Sequence, residues 1–241
     1  MILVGLWRRR FPRCLLLRAL ILGAVSIEQA PGGVQESLVA AFPAALEVDV
    51  RAVLALMPHE QYPPVGWFTV VVRGENVTIP ARLYNPEPTR SAEAGLSPTQ
   101  AAILGCLYSR HHDGFVRQRR IEQVIAVAEP WVVPFVVQLV GEYVLEILVA
   151  IQRGLPDLAV AGSVQQVLYG GFLEANPGFF ARVERRVVSY WSCYWRSLYA
   201  EFWAYPGSDL LEMLRSAAEL TTGRSCPRYA PPGNARVHGY S

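Results

Sequence analysis

A β-hairpin is predicted by residues 66–83, which run GWFTVVVRGENVTIPARL. The segments 66–73 and 76–83 flank Gly74-Glu75, and successive side chains of a strand point to opposite faces. Because glycine suits the first central position of a two-residue type II′ turn, Arg73 is expected to pair with Asn76. This register puts the following apolar side chains on one face: Phe68, Val70, Val72, Val77, Ile79 and Ala81.

The predicted hairpin needs support from elsewhere, because an isolated hairpin is only marginally stable in water. Pro80 has no backbone N–H to donate, so its strand is expected at an edge that could accept a partner strand. On the face opposite the apolar one, the register pairs Trp67 with Arg82, a combination suited to a cation–π contact.

Helices are predicted on both sides of this hairpin. Ser97-Pro98 provides an N-cap followed by a proline in the first helical position, and it starts a helix that ends at about Ser109. The other helices are expected at about 34–41, 44–57, 115–127, 130–151, 163–173, 178–203 and 208–220. The predicted fold is therefore mainly α, a helical bundle with one small β-hairpin at about 66–84. Its core is expected to contain Leu104, Leu107, Ile121, Ile125, Phe135, Val136, Leu139, Val140, Val144, Ile147, Val187, Trp191, Tyr194 and Leu198.

The 241 residues divide into four expected parts. These are a disordered or mis-started leader at 1–30, a short helical lead-in at 31–64, a main helical domain at 65–220 that begins with the hairpin, and a disordered tail at 221–241. Arginines at 8–10 followed by an apolar run resemble an export signal, but Arg18 interrupts that run. The run also falls short of the ~20 residues that span a bilayer. We therefore expect a cytoplasmic protein without a membrane span, with export through residues 1–25 as the alternative.

All 22 basic residues are arginines. A chain without lysine contains no Schiff-base lysine and no lysine-bearing phosphate loop, which excludes several enzyme classes. The net charge of +2 provides no bulk attraction toward nucleic acid or membranes. The four cysteines form no C-x-x-C pair. No catalytic residue and no cofactor is assigned from the sequence.

The segment 110–120, RHHDGFVRQRR, is the most suggestive for chemistry. His111, His112 and Asp113 are of the types that bind zinc or iron, which makes a metal-dependent enzyme one alternative. Consecutive residues rarely point at one ion, however. The favoured interpretation is a helix end with basic residues near its negative pole, followed by an Asp-Gly turn.

A DNA-binding protein is the other alternative. Residues 98–127 have the outline of a helix-turn-helix, from which Arg119, Glu122 and Gln123 would project. The apolar segment that follows and the nearly balanced charge weigh against this function.

Two further groups of charged residues lie on predicted helices. Glu142 and Glu146 are four residues apart in an apolar helix, and Arg182 and Arg186 lie on one face of the helix at 178–203. We expect the glutamates to pair with arginines of neighbouring helices, because buried carboxylates need partners. The candidate residues for binding a ligand or partner are Arg117, Arg119, Arg120, Arg182, Arg186, Glu142 and Glu146.

The rest of the helix at 178–203 is unusually aromatic. So wide an apolar face implies burial on several sides. With no catalytic motif in the chain, we expect a non-enzymatic protein–protein interaction or regulatory module, in which a homodimer buries part of this face.

Overall fold

The fold is mainly α-helical with one small β-hairpin, which confirms the predicted fold class. The computed structural model describes residues 33–230. The predicted leader at 1–30, the alternative of export through 1–25 and the last part of the predicted tail, 231–241, lie outside the described residues.

The hairpin consists of β1 (Val65–Val72) and β2 (Glu75–Arg82). The helices are α1 (Gly33–Val39), α2 (Glu47–Leu56), α3 (Arg90–Glu93), α4 (Pro98–Tyr108), α5 (Gly114–Val124), α6 (Val133–Val140), α7 (Leu145–Gly154), α8 (Val164–Ala175), α9 (Pro177–Tyr190) and α10 (Pro206–Thr222). Single turns of 3₁₀-helix cover Ala44–Leu46 and Phe202–Ala204, and a short π-helix covers Trp191–Trp195.

The predicted turn of the hairpin is wrong by one residue. Arg73 and Gly74 both have positive φ, 48° and 86°, so they form the turn and it is of type I′. Val72 therefore pairs with Glu75 instead of Val77. The apolar face survives this shift, because the pairing changes by two residues in total and the side-chain period is two. The expected pairing of Trp67 with Arg82 is also wrong, since Trp67 pairs with Pro80.

Both edges of the hairpin make hydrogen bonds within the chain. On β1, the backbone N–H and C=O of Val71 both bond to the side-chain amide of Asn176, at 2.8 Å each. On β2, the N–H of Thr78 donates to the carbonyl of Ala40 at 2.8 Å. The expected free edge is thus partly occupied by the protein's own backbone and side chains.

Local signals locate several helix ends correctly. Ser97 caps α4 and forms a reciprocal capping box with Gln100, and Pro98 is the first helical residue. Ser163 caps α8 by accepting a hydrogen bond from the backbone N–H of Gln166.

Two predicted long helices are interrupted. The segment at 130–151 forms α6 and α7 with a break at residues 141–144, so Glu142 and Glu146 do not share one helix. The segment at 178–203 ends as an α-helix at Tyr190 and continues through the π-helix. At both breaks, side chains make hydrogen bonds to residues that are distant in the sequence. Helix propensity depends on the local sequence and does not predict such contacts.

One hydrophobic core joins α1, α2, the hairpin and the later helices. Most of the predicted core residues are buried. Ile125, Trp191 and Tyr194 are only partly buried, however, and Leu198 is 65% exposed. Helices α8 and α10 pack closely along each other, while α5 packs on α4 and α7.

No helix within residues 33–230 combines the length and the apolar character needed to cross a bilayer. Residues 221 and 222 of the predicted tail complete α10, and the residues that follow, up to 230, contact α9 and α10. Arg215 donates to the carbonyl of Pro227, and the N–H of Tyr229 donates to Glu184.

Candidate anion-binding site

Glu142 lies in the break between α6 and α7, and its side chain is fully buried. Side chains of α9 and of the π-helix donate hydrogen bonds to the backbone of this break. Arg186 Nε donates to the carbonyl of Gly141 at 3.1 Å, and the indole N–H of Trp195 donates to the carbonyl of Tyr143 at 3.0 Å. These bonds satisfy backbone groups that a continuous helix would have used, and they direct Glu142 into the protein.

Four arginines surround the Glu142 carboxylate. Arg82, the last residue of β2, donates from Nη2 to both carboxylate oxygens at 2.8 and 2.9 Å. The Nη2 atoms of Arg110, Arg117 and Arg186 lie 3.6, 3.5 and 3.9 Å from the nearer carboxylate oxygen. We call these five residues the arginine–glutamate cluster.

Local backbone contacts bring the arginines together. The loop after α4 lies beside the end of β2, where the N–H of Leu83 donates to the carbonyl of Arg110 at 2.9 Å. Arg110 Nη2 donates to the carbonyl of Ala81 at 3.0 Å. Arg117 Nη1 donates to the carbonyls of His111 and His112 at 2.9 Å each. The loop at 109–113 thus positions two of the arginines.

The cluster has an inner and an outer part. The side chains of Arg110 and Arg117 are 0% and 1% exposed, whereas those of Arg82 and Arg186 are 24% and 22% exposed. Arg82 and Arg186 are therefore the members of the cluster that are partly exposed to solvent.

Positive charge exceeds negative charge in this cluster. Four guanidinium groups face one carboxylate, and no other carboxylate within residues 33–230 comes within 4 Å of them. The excess is three positive charges. In contrast, Arg119 and Arg120 share Glu87 and Glu93, and Arg215 and Arg228 share Glu184 and Glu212.

Hydrogen bonding in the cluster is incomplete as well. Arg110 Nη1, Arg117 Nε and Arg117 Nη2 are buried and have no hydrogen-bond partner among the described residues. Buried polar groups normally find a partner, and leaving a charged donor without one is costly. The cluster thus has spare donors as well as spare charge.

The electrostatic shifts agree with this excess. Burial raises the pKa of the Glu142 carboxyl, but the four arginines outweigh burial and lower that pKa to about 2. Burial and the charges of Arg82, Arg117 and Arg186 lower the pKa of the Arg110 guanidinium well below its usual range. An additional negative charge near Arg110 would oppose that lowering.

Three of the predicted binding residues, Arg117, Arg186 and Glu142, belong to the cluster. Sequence reasoning missed Arg82 as a site residue, since it assigned this side chain to Trp67. It also left out Arg110, although Arg110 begins the quoted basic segment. The nearest signal is the basic character of segment 110–120.

The other predicted binding residues lie elsewhere. Arg119 pairs with Glu87, and Arg120 pairs with Glu87 and Glu93. Arg182 is exposed on α9, with its guanidinium 5.7 Å from the ring centroid of Phe179. Glu146 is exposed on α7.

The residues of the predicted metal site have other contacts. Asp113 caps α5 by accepting from the N–H of Phe115 at 2.8 Å, and His111 Nδ1 accepts from the N–H of Asp113 at 3.1 Å. The His112 ring stacks on Tyr84, with centroids 5.2 Å apart. Within residues 33–230, no three His, Cys, Asp or Glu side chains are grouped so that they could hold a metal ion.

Comparison of the chain with protein-family models, curated proteins and solved structures finds no match.

Proposed function

We propose that this protein is a non-enzymatic regulatory module that binds an oxyanion at the arginine–glutamate cluster. The observation that carries the proposal is the excess of three positive charges around Glu142, in a cluster where two of the four arginines are partly exposed. Arginine is well suited to this role, because its planar guanidinium donates two parallel hydrogen bonds to a phosphate or carboxylate.

A purely structural role explains the excess less well. Within residues 33–230, the buried Glu184 carboxylate is paired with a single arginine, Arg215. Each further buried cation adds a desolvation penalty of several kcal/mol unless a counter-charge compensates for it. An incoming anion would supply that counter-charge, and binding would couple its concentration to the packing of β2, α5 and α9.

Titration calorimetry with inorganic phosphate, in a phosphate-free buffer of fixed ionic strength, tests the proposal. We expect saturable binding by the wild-type protein and at least tenfold weaker binding by Arg186→Gln. Arg182→Gln is the matched control, because Arg182 lies one turn away on the same helix and outside the cluster. The proposal fails if no heat of binding is measured, or if both variants bind as the wild type does.

A second candidate function, which does not exclude the first, is self-association through the aromatic segment at 191–205. Leu198 and Trp203 in this segment are 65% and 43% exposed. We propose that a homodimer covers these side chains, since large exposed apolar residues close together mark interaction sites. Analytical ultracentrifugation should show a dimer that Leu198→Ser/Trp203→Ser converts to a monomer. A strictly monomeric wild-type protein would remove this candidate.

A cytoplasmic location is also part of the proposal. Cys106 is a fully buried thiol in α4, where burial raises its pKa well above the usual value. A buried thiol of this kind is chemically inert and compatible with a reducing compartment. Cell fractionation checks this, and recovery of the protein outside the cytoplasm would favour export through residues 1–25.

A further inference from the structure

Three tyrosines that contact one another lie next to the arginine–glutamate cluster. Tyr143 follows Glu142 in the break, Tyr190 ends α9, and Tyr194 lies in the π-helix. The ring centroid of Tyr143 lies 5.7 Å from that of Tyr190 and 5.8 Å from that of Tyr194. The centroids of Tyr190 and Tyr194 are 6.0 Å apart. All three are partly exposed. We call them the tyrosine cluster.

The tyrosine cluster adjoins the two arginines that solvent reaches. The Arg186 guanidinium carbon is 5.8 Å from the centroid of the Tyr190 ring. Burial lowers the pKa of the Arg82 guanidinium and Glu142 raises it. Tyr190 and Tyr143 are close enough to raise this pKa further, by smaller amounts. The same place on the protein therefore offers guanidinium donors and partly exposed aromatic rings.

Side-chain hydrogen bonds hold the backbone of the break that carries Tyr143. Trp195 holds the carbonyl of Tyr143 at 3.0 Å, and Arg186 holds the carbonyl of the neighbouring Gly141 at 3.1 Å. A side chain on a backbone segment held in this way is better preorganised, which lowers the entropic cost of binding a flat group.

We propose that the anion bound at this site is a phosphate monoester carried on an aromatic ring. The phosphate contacts Arg82 and Arg186, and the ring of the ligand packs against the tyrosine cluster. This inference rests on the proposed function, and it names the class of ligand for the same site.

The charges favour phosphate over carboxylate. A phosphate monoester carries close to two negative charges at neutral pH, and a carboxylate carries only one. Against an excess of three positive charges, the dianion leaves less uncompensated charge next to Arg110 and Arg117. Phosphate also has three terminal oxygens, which can accept from two guanidinium groups at once.

The tyrosines favour a ring on the ligand. Flat aromatic groups stack on tyrosine rings, and such contacts raise affinity by a factor on the order of ten. An alkyl chain of similar size gains burial alone. Affinity should therefore depend on the aromatic character of the group that carries the phosphate.

Calorimetry with three probes tests the inference on the full-length protein: inorganic phosphate, n-butyl phosphate and phenyl phosphate. We expect phenyl phosphate to bind about tenfold more tightly than n-butyl phosphate. In Tyr190→Leu this ratio should fall to about two, while Tyr62→Leu, which alters an exposed tyrosine outside the cluster, should leave it unchanged. Circular dichroism verifies that each variant is folded, and Tyr194→Leu replaces Tyr190→Leu if the latter does not fold.

The outcomes separate the two proposals. Equal affinities of the wild-type protein for phenyl and n-butyl phosphate overturn the aromatic inference and leave oxyanion binding intact. A preference for phenyl phosphate that survives in the folded tyrosine variant also overturns it, because the ring then binds elsewhere. If none of the three probes binds, the proposed function itself is wrong.

Discussion

Among residues 33–230, Glu142 is the single negative charge that four arginines share, and Arg82 binds both of its oxygens. Glu142→Gln removes this charge and leaves the buried guanidinium groups uncompensated. We expect the free energy of unfolding to fall by about 3–5 kcal/mol, the usual cost of breaking a buried ion pair from one side. Urea denaturation measures this free energy. The control is Glu146→Gln, at an exposed position of α7, which should change stability by less than about 0.5 kcal/mol.

The same variant distinguishes an anion site from a structural ion pair. If phosphate binds the arginines, it should stabilise Glu142→Gln more than the wild-type protein, because the variant lacks the competing carboxylate. The measurement is the urea midpoint in phosphate and in chloride at equal ionic strength. Equal shifts for variant and wild type would contradict a role for Glu142 as the resident counter-charge.

Acid should weaken the protein partly through Glu142. The pKa of its carboxyl is about 2 in the folded state against an ordinary value of 4.5, so its stabilising effect is complete above about pH 4.5 and is lost as the pH falls toward 2. Between pH 6 and pH 3 this group alone accounts for a loss of about 2 kcal/mol. Wild-type protein should lose that much more stability over this range than Glu142→Gln, and parallel losses in urea titrations would argue against the assignment.

At the scale of elements, the sequence predicts what local contacts determine. The start of α4 follows from Ser97 and Pro98, because cap and proline act within one helical turn. The break at 141–144 cannot be found in this way. Gly141 and Glu142 are stabilised there by Arg186 and Arg82, which lie 45 and 60 residues away in the chain.

The turn of the hairpin illustrates a similar limit. Gly74 suits either central position of a two-residue turn, so its identity alone does not determine the register. The observed register requires Arg73 to adopt a φ of 48°, which is uncommon for residues other than glycine and asparagine. The predicted register pairs Arg82 with Trp67, and it therefore leaves one of the main residues out of the predicted site.

The contact between α8 and α10 depends on a missing side chain at Gly170. A Cβ at this position would clash with the carbonyl of Ala217 and with the Thr221 hydroxyl on α10. We expect Gly170→Ala to destabilise the protein by about 1–3 kcal/mol. Gly171→Ala is the matched control: its Cβ would meet open space, so helix propensity should make this variant up to about 1 kcal/mol more stable. Thermal unfolding measures both, and similar changes in the two would contradict this packing.

Over the whole molecule, the arrangement of charges says more than the net charge of +2. The arginines around Arg120 and Arg215 are matched by carboxylates, whereas the cluster at Glu142 is not. That imbalance arises only when β2, the loop at 109–113, α5, α9 and the break at 141–144 come together. The sequence contains all five residues, but only the fold makes them a site.

The most direct test locates the anion. Crystals grown with tungstate, a dianionic and electron-dense analogue of phosphate, should show an anomalous peak within hydrogen-bonding distance of the guanidinium groups of Arg82 and Arg186. The peak should be absent from crystals of Arg186→Gln and present in those of Arg182→Gln. A peak found only at other arginines, or none at all, would contradict oxyanion binding at the arginine–glutamate cluster.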